Sequence, residues 1–431
     1  MRCFFIVMVA QICLSVHAQK LLSLDDLFNL ADEQSQSIKV KKTVVEGAEK
    51  TVQSAVSQRR PDFDAELDLG YLGNGLLGDR SFNKWTKVEN PHFTNNLTLK
   101  AKQVVYAGGA ISSGIELARI GRQFAQLDLE NNRQEVRMLL TELYFNLCRL
   151  KNQTKVLEEN IRLTDTLIAN VNSMVKQGMS LKNDITRFEL QKEKLKLQRQ
   201  KMLDAQSIIN YQIVSTLHLD SVVKIEPDTS FLSTIPSLQN EDYWQQEALT
   251  SNLLLQLAEN AIKRNGQNIK MSRSSRLPKV AFVAEDHLDG PITTEVPVID
   301  KNFNYWFVGI GIQYSISSFY KKNDDLEKAR VELRAAEEQR ILAQEQINTA
   351  VQAAYTNFLT VKSDLRIQQK SVQLANENFF VANNRYINGL CLLSDIIDAS
   401  NSKLDAELAL ENARINVLYN YYQLKYLTSN L

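Results

Sequence analysis

The chain has 431 residues, with 50 basic and 50 acidic side chains, so no net field favours nucleic acid or an anionic membrane surface. Only 7 prolines and 15 glycines interrupt it, while Leu, Ala, Gln, Asn, Glu and Lys crowd the latter part of each half, which is the composition of long helices. His17, His92, His218 and His287 are scattered without metal-ligand spacing, and no nucleophile elbow or phosphate loop is present, so no metal, cofactor or catalytic activity is expected.

Arg2 is followed by an apolar stretch from Cys3 to Val16 and a small-residue cleavage site at Val16-His17-Ala18. Residues 1–18 are therefore expected to be a secretory signal peptide. An amino-terminal anchor is the weaker alternative, because the run holds Gln11 and is shorter than the roughly 18 residues that span a bilayer. Ile12 before Cys13 argues against lipid attachment. Removal of the signal leaves Cys148 and Cys391, which straight helices would hold roughly 45 Å apart, too far for a disulfide.

Ser23 with Asp26 makes a capping-box-like start for a helix from Leu24 to about Gln58, closed by Pro61. From Asp62 to Tyr71 the period changes to two: Phe63, Ala65, Leu67, Leu69 and Tyr71 share one face, and Asp62, Asp64, Glu66 and Asp68 the other. Asn96 to Val105 answers it, with lysines at 100 and 102 that can neutralise the acidic face across a hairpin. A stripe in 4-3 spacing follows, Val136, Leu140, Leu143, Leu147, Leu150 and onward to Val175, on a helix from about Ile111 to Lys176. It ends at Gly178-Met179-Ser180-Leu181, and a returning stripe runs through Ile185, Phe188, Leu195, Met202 and Ile209.

The same order of parts then recurs. Asn240 with Tyr243 starts a helix at Glu241, and Pro278 closes it 217 residues after Pro61. Strands are expected at Lys279 to Glu285 and at Asn304 to Ile316, where Trp306, Val308, Ile310, Ile312 and Tyr314 form an apolar face opposite Gly309, Gly311, Gln313 and Ser315. Adding 211 to the first long stripe gives the second, Ile347, Val351, Ala354, Phe358 and onward to Tyr386, which ends at Gly389-Leu390-Cys391-Leu392. The expected organisation is a signal peptide over 1–18, one repeat over 19–216 with a β-hairpin at about 62–105 and a helical hairpin at 111–216, and a linker over 217–239. A second repeat covers 240–431, with a β-hairpin at about 279–316 and a helical hairpin at 324–428. A period this long is a duplicated half-domain.

Strands with one apolar and one charged face suit a membrane barrel, and they suit a soluble sheet almost as well. Four strands per chain cannot close a membrane barrel, which needs about eight, so several chains would share one. A secreted or periplasmic coiled-coil scaffold or adhesion protein without a pore is the rival reading, and it would need neither alternating strands nor acids at the turns.

The second turn and its continuation, Tyr386-Ile387-Asn388-Gly389-Leu390-Cys391-Leu392-Leu393-Ser394-Asp395-Ile396-Ile397-Asp398-Ala399, with the tail from Ala406 to Arg414, resemble the TolC-like outer membrane efflux proteins. The resemblance covers nearly the whole mature chain. It implies a mainly α fold with a membrane β-barrel portion, built as a homotrimer with a 12-stranded barrel in the outer membrane lipid and a periplasmic α-helical tunnel. It implies a passive exit duct for a tripartite efflux or type I secretion system, joined by a periplasmic adaptor protein to an inner-membrane transporter. Asp395 and Asp398 match the family's acidic rings at the periplasmic mouth, although acids in a first helical turn also complement the helix dipole. Tyr386, Asn183 and Asp184 match the polar links that hold the mouth shut. Gly178, Met179, Gly389 and Leu390 match the tips that meet the adaptor, and glycine there also suits the positive φ that follows a helix. Cys391 stands where the better-known pattern has an arginine that pairs with the first-turn aspartate, and a thiol cannot make that bond.

Overall fold

The computed structural model describes residues 19–229, 236–321 and 323–431. The signal peptide expected over 1–18 and residues 230–235 of the expected linker lie outside the described residues. In the first half the elements are β1 (Gln19–Leu22), α1 (Leu24–Gln34), α2 (Gln36–Ser57), β2 (Asp62–Tyr71), β3 (Gly75–Gly78), β4 (Trp85–Val88), β5 (Phe93–Tyr106), α3 (Ala110–Lys176) and α4 (Lys182–Thr216). There follow β6 (Lys224–Pro227), α5 (Glu241–Ser251), α6 (Leu253–Ser274), β7 (Lys279–Gly290), β8 (Phe303–Gln313), α7 (Ser318–Lys321), α8 (Asn323–Ile387) and α9 (Leu393–Leu427). Among the described residues no helix is long and apolar enough to cross a membrane. The chain forms two compact units, one of residues up to Thr43, Asp128–Gln256 and Ala343–Leu431, the other of Val44–Leu127 and Leu257–Leu342.

The unit of 44–127 and 257–342 holds a four-stranded antiparallel sheet in the order β2-β5-β7-β8. The central pair β5 and β7 come from different halves of the sequence, and Lys100 of β5 meets Glu285 of β7 at 2.7 Å. Directly opposed residues share a face, so the register lays out two surfaces. One carries the rows Asp64–Lys100–Glu285–Phe307 and Glu66–Thr98–His287–Tyr305. The other carries Phe63–Ala101–Ala284–Val308 and Ala65–Leu99–Asp286–Trp306, and Phe63, Leu67, Leu69, Leu99, Trp306, Val308, Ile310 and Ile312 are all exposed on it. Asp286 interrupts this apolar face and accepts a hydrogen bond from Asn304 Nδ2 at 2.9 Å. β7 runs on to Gly290, past the expected end at Glu285, because His287 to Gly290 pair with Asn95 to Thr98 of β5. No periodicity announces the small hairpin of β3 and β4, whose four-residue strands are too short to show one.

The other unit is helical, apart from the parallel pair β1–β6, whose ends are tied together by the buried Tyr144 hydroxyl beside the carbonyls of Leu22 at 3.0 Å and Asp228 at 3.1 Å. Its cores display the duplication residue by residue. Leu27, Ala31 and Ile38 lie in one buried cluster, and Trp244, Ala248 and Leu255, 217 positions later, lie in another. Leu140, Leu147 and Ile213 belong to the first cluster, and Val351, Phe358 and Leu424, 211 positions later, to the second.

The helices expected over Leu24–Gln58 and from Glu241 each form as two. Ser35 (φ −57°, ψ 125°) separates α1 from α2, and Asn252 (φ −61°, ψ 123°) separates α5 from α6. Asn252 Oδ1 accepts from the Leu254 amide at 2.9 Å, a local bond that competes with the helical ladder. Where the strands give way to α3, Gly108 has φ 64°, and a Cβ there would stand 2.7 Å from the Ser274 carbonyl oxygen, so only glycine fits.

Candidate functional site

The two helical hairpins turn in the same way. At the end of α3, Met179 N donates to Met174 O at 2.8 Å and Gly178 N to Val175 O at 3.0 Å. At the end of α8, Leu390 N donates to Arg385 O at 2.8 Å and Gly389 N to Tyr386 O at 3.0 Å. This is the Schellman pattern, and it requires the positive φ that Gly178 (73°) and Gly389 (69°) supply. The residues after the glycines are thrust outward, with Met179 60% exposed and Leu390 66%.

Each following helix opens with an aspartate in its first turn that reaches back over the turn. Asp184 accepts from the Ser180 hydroxyl at 2.6 Å and the Leu181 amide at 3.1 Å. Asp395 accepts from the Leu392 amide at 3.0 Å and the Ser394 hydroxyl at 3.4 Å. Both carboxylates thus satisfy amides that the helix start leaves open and sit at the positive end of the dipole. Asp398 is exposed three residues beyond Asp395 on the same side of α9.

The ends of all four helices converge on one apolar cluster, Leu167, Val171, Met174, Phe188, Tyr386, Leu393 and Ile396. Tyr386 sets its ring edge-on to Phe188, with centroids 6.3 Å apart. Burial raises the pKa of its hydroxyl; neighbouring Ser180 opposes the rise and the Asp184 charge adds to it. The structure therefore brings together Tyr386, Asp184 and, between them, Ser180. Asn183 is exposed on the outer side of the same turn and takes no part in the cluster. Nothing in the sequence alone marks Phe188 as functional, and the signal for Ser180 is its spacing to Asp184 at the start of a helix.

Cys391 is half-buried, and its thiol points to the Ala382 carbonyl at 3.5 Å. Asp184 takes a hydroxyl donor from Ser180 within its own turn. Cys148 is fully buried, and both thiols are free. Among the described residues no group of His, Cys, Asp and Glu is arranged to hold a metal ion.

Residues 244–430 match the family model described as "Outer membrane efflux protein". No curated protein matches the chain by sequence. The fold is similar to that of the outer membrane protein VceC of Vibrio cholerae (TM-score 0.77, 14% identity, covering 94% of this chain and 96% of that one). It is similar also to CusC, whose structures were described in terms of folding and transmembrane channel formation (TM-score 0.78, 14% identity, 94% and 91% covered). The open state of the Neisseria gonorrhoeae MtrE outer membrane channel gives a TM-score of 0.73 at 15% identity, with 94% and 88% covered.

Proposed function

We propose that this chain, a member of the TolC-like outer membrane efflux protein family, is the outer-membrane exit duct of a tripartite efflux or type I secretion system and acts as a homotrimer. The observation that carries this reading is the sheet β2-β5-β7-β8, which leaves both edge strands unpaired among the described residues and exposes a broad apolar face behind an acidic one. Open edges and exposed apolar faces are liabilities that closure into a barrel in lipid removes together. Three copies supply twelve strands, enough for a barrel where four are not.

The helices carry matching unsatisfied surface. Leu190, Leu197 and Tyr211 of α4, and Ile367, Leu374 and Val381 of α8, are exposed at seven-residue multiples, the spacing of a seam awaiting another coil. Neighbouring copies fill these seams and complete a periplasmic tunnel. Its mouth is lined by Asp395 and Asp398, six carboxylates in the trimer, which favour cations and disfavour anions. Tyr386, Asn183 and Asp184 hold the mouth closed, and the tips at Gly178, Met179, Gly389 and Leu390 receive the periplasmic adaptor that links the duct to an inner-membrane transporter. The duct carries out no chemistry.

The test is single-channel recording of the purified protein in planar bilayers, wild type against Asp395→Ala/Asp398→Ala. Small cation-selective openings that lose their selectivity in the double variant support the acidic mouth. A water-soluble protein that neither trimerises nor inserts would return the chain to the coiled-coil scaffold class.

A further inference from the structure

The polar face of the sheet carries a row of aromatic rings that a water-filled barrel does not call for. Phe303, Tyr305 and Phe307 alternate along β8 opposite Asp289, His287 and Glu285 of β7, and register places them on the same face as Asp62, Asp64, Glu66 and Asp68 of β2. They are 54%, 41% and 53% exposed. Tyr305 stacks on His287, with centroids 4.8 Å apart and 8° between planes, and on Phe303 at 5.5 Å. The Phe307 ring lies over Gly309, where a Cβ would come within 2.4 Å of Cζ. Glycine thus clears the space that the ring occupies.

Lys100 and Lys102 of β5 stand opposite Asp64 and Asp62 of β2, and Glu285 and Asp289 of β7 lie on the same face. Glu285 pairs with Lys100 at 2.7 Å and meets His287 Nε2 at 3.3 Å, while Nδ1 of the same imidazole contacts the Thr98 hydroxyl at 3.2 Å. The four rows from Asp62 to Asp68 thus set six carboxylates against two lysines and are net acidic, with the aromatic row on one edge strand and four of the carboxylates on the other.

We propose that this surface binds organic cations that carry an aromatic ring, with the ring stacked along Phe303, Tyr305 and Phe307 and the positive charge directed to the carboxylates of β2. The proposal rests on the trimeric barrel above, in which β8 of one copy lies beside β2 of the next at the usual strand spacing of about 5 Å and the two rows become adjacent walls of one site. Aromatic faces and carboxylates both attract a cation, and stacking adds affinity for a planar ring. An aromatic anion gains the stacking and meets repulsion from the acids.

The experiment is calorimetric titration of the purified, detergent-solubilised trimer with benzyltrimethylammonium and, separately, with phenylmethanesulfonate. Binding of the cation at least tenfold tighter than the anion is expected. Phe303→Leu/Tyr305→Leu/Phe307→Leu, which keeps apolar bulk while removing the π faces, should weaken cation binding at least tenfold with the trimer intact. Asp62→Asn/Asp64→Asn/Glu66→Gln/Asp68→Asn should bring cation and anion to similar affinity. An intact trimer that binds both probes alike, or a leucine variant that binds the cation as wild type does, overturns this proposal and leaves the duct standing. A protein that is monomeric by light scattering in detergent overturns both.

Discussion

Asp184 and Asp395, 211 residues apart, make the same bond: each carboxylate accepts the amide of the residue three positions before it, Leu181 at 3.1 Å and Leu392 at 3.0 Å. Such a cap contributes about 1 kcal/mol. Asp184→Ala and Asp395→Ala are therefore expected to lower the thermal midpoint by similar amounts, and Asp398→Ala, exposed and outside the cap, to leave it unchanged. Pore selectivity should respond to both Asp395 and Asp398. Equal thermal losses for Asp395→Ala and Asp398→Ala would contradict this separation of cap from charge.

The helix breaks at Ser35 and Asn252 are equivalent in backbone and unequal in bonding. Asn252 accepts from the Leu254 amide at 2.9 Å and donates to the Leu427 carbonyl at 2.8 Å, both around a buried position. Asn252→Ala leaves these groups without their partner and is expected to destabilise by about 1–3 kcal/mol. Ser35 is buried as well but makes neither of these bonds, and Ser35→Ala should cost less than Asn252→Ala. Denaturant midpoints of the two variants decide the matter, and equal shifts would refute the assignment.

Gly178 and Gly389 have open space where a Cβ would stand, so alanine there meets only backbone strain. Gly178→Ala and Gly389→Ala are each expected to destabilise by about 1–2 kcal/mol, the preference against a left-handed residue. Asparagine, which tolerates that conformation, should recover part of the loss in the same melting experiment.

Burial pushes the Cys148 thiol from 9.0 up to about 12. The folded chain keeps this proton to higher pH than the unfolded chain does, so stability from this group is complete below about pH 9 and declines as pH rises towards 12. Tyr144, raised chiefly by burial, contributes in the same direction. Denaturant midpoints across pH 8 to 11 should fall for wild type and fall less steeply for Cys148→Ala. With iodoacetamide at pH 8 the folded protein should be alkylated at half-buried Cys391 and spared at Cys148, as peptide mass spectrometry would read.

Much of this architecture is legible along the chain because its signals are local. The period-two alternation from Asp62 to Tyr71 marks β2 without reference to any partner. Gly178 and Gly389 mark the turns because a Schellman cap demands positive φ. The constant offsets of 217 and 211 mark the duplication, since equivalent positions such as Leu27 and Trp244 meet equivalent demands for burial.

What the sequence by itself determined was the order and type of the four long strands and the long helices, their repetition and the two helix turns, all properties of stretches that carry their own period or cap. The tertiary structure alone decided the pairing of β5 with β7, the placing of Tyr386 beside the local Ser180–Asp184 pair, and the alignment of the β8 aromatics with the β2 acids on one face. These depend on register between strands far apart in the chain and on how helix ends pack. Neither leaves a local trace, because period and cap describe one element at a time, whereas contact depends on the position of its neighbour.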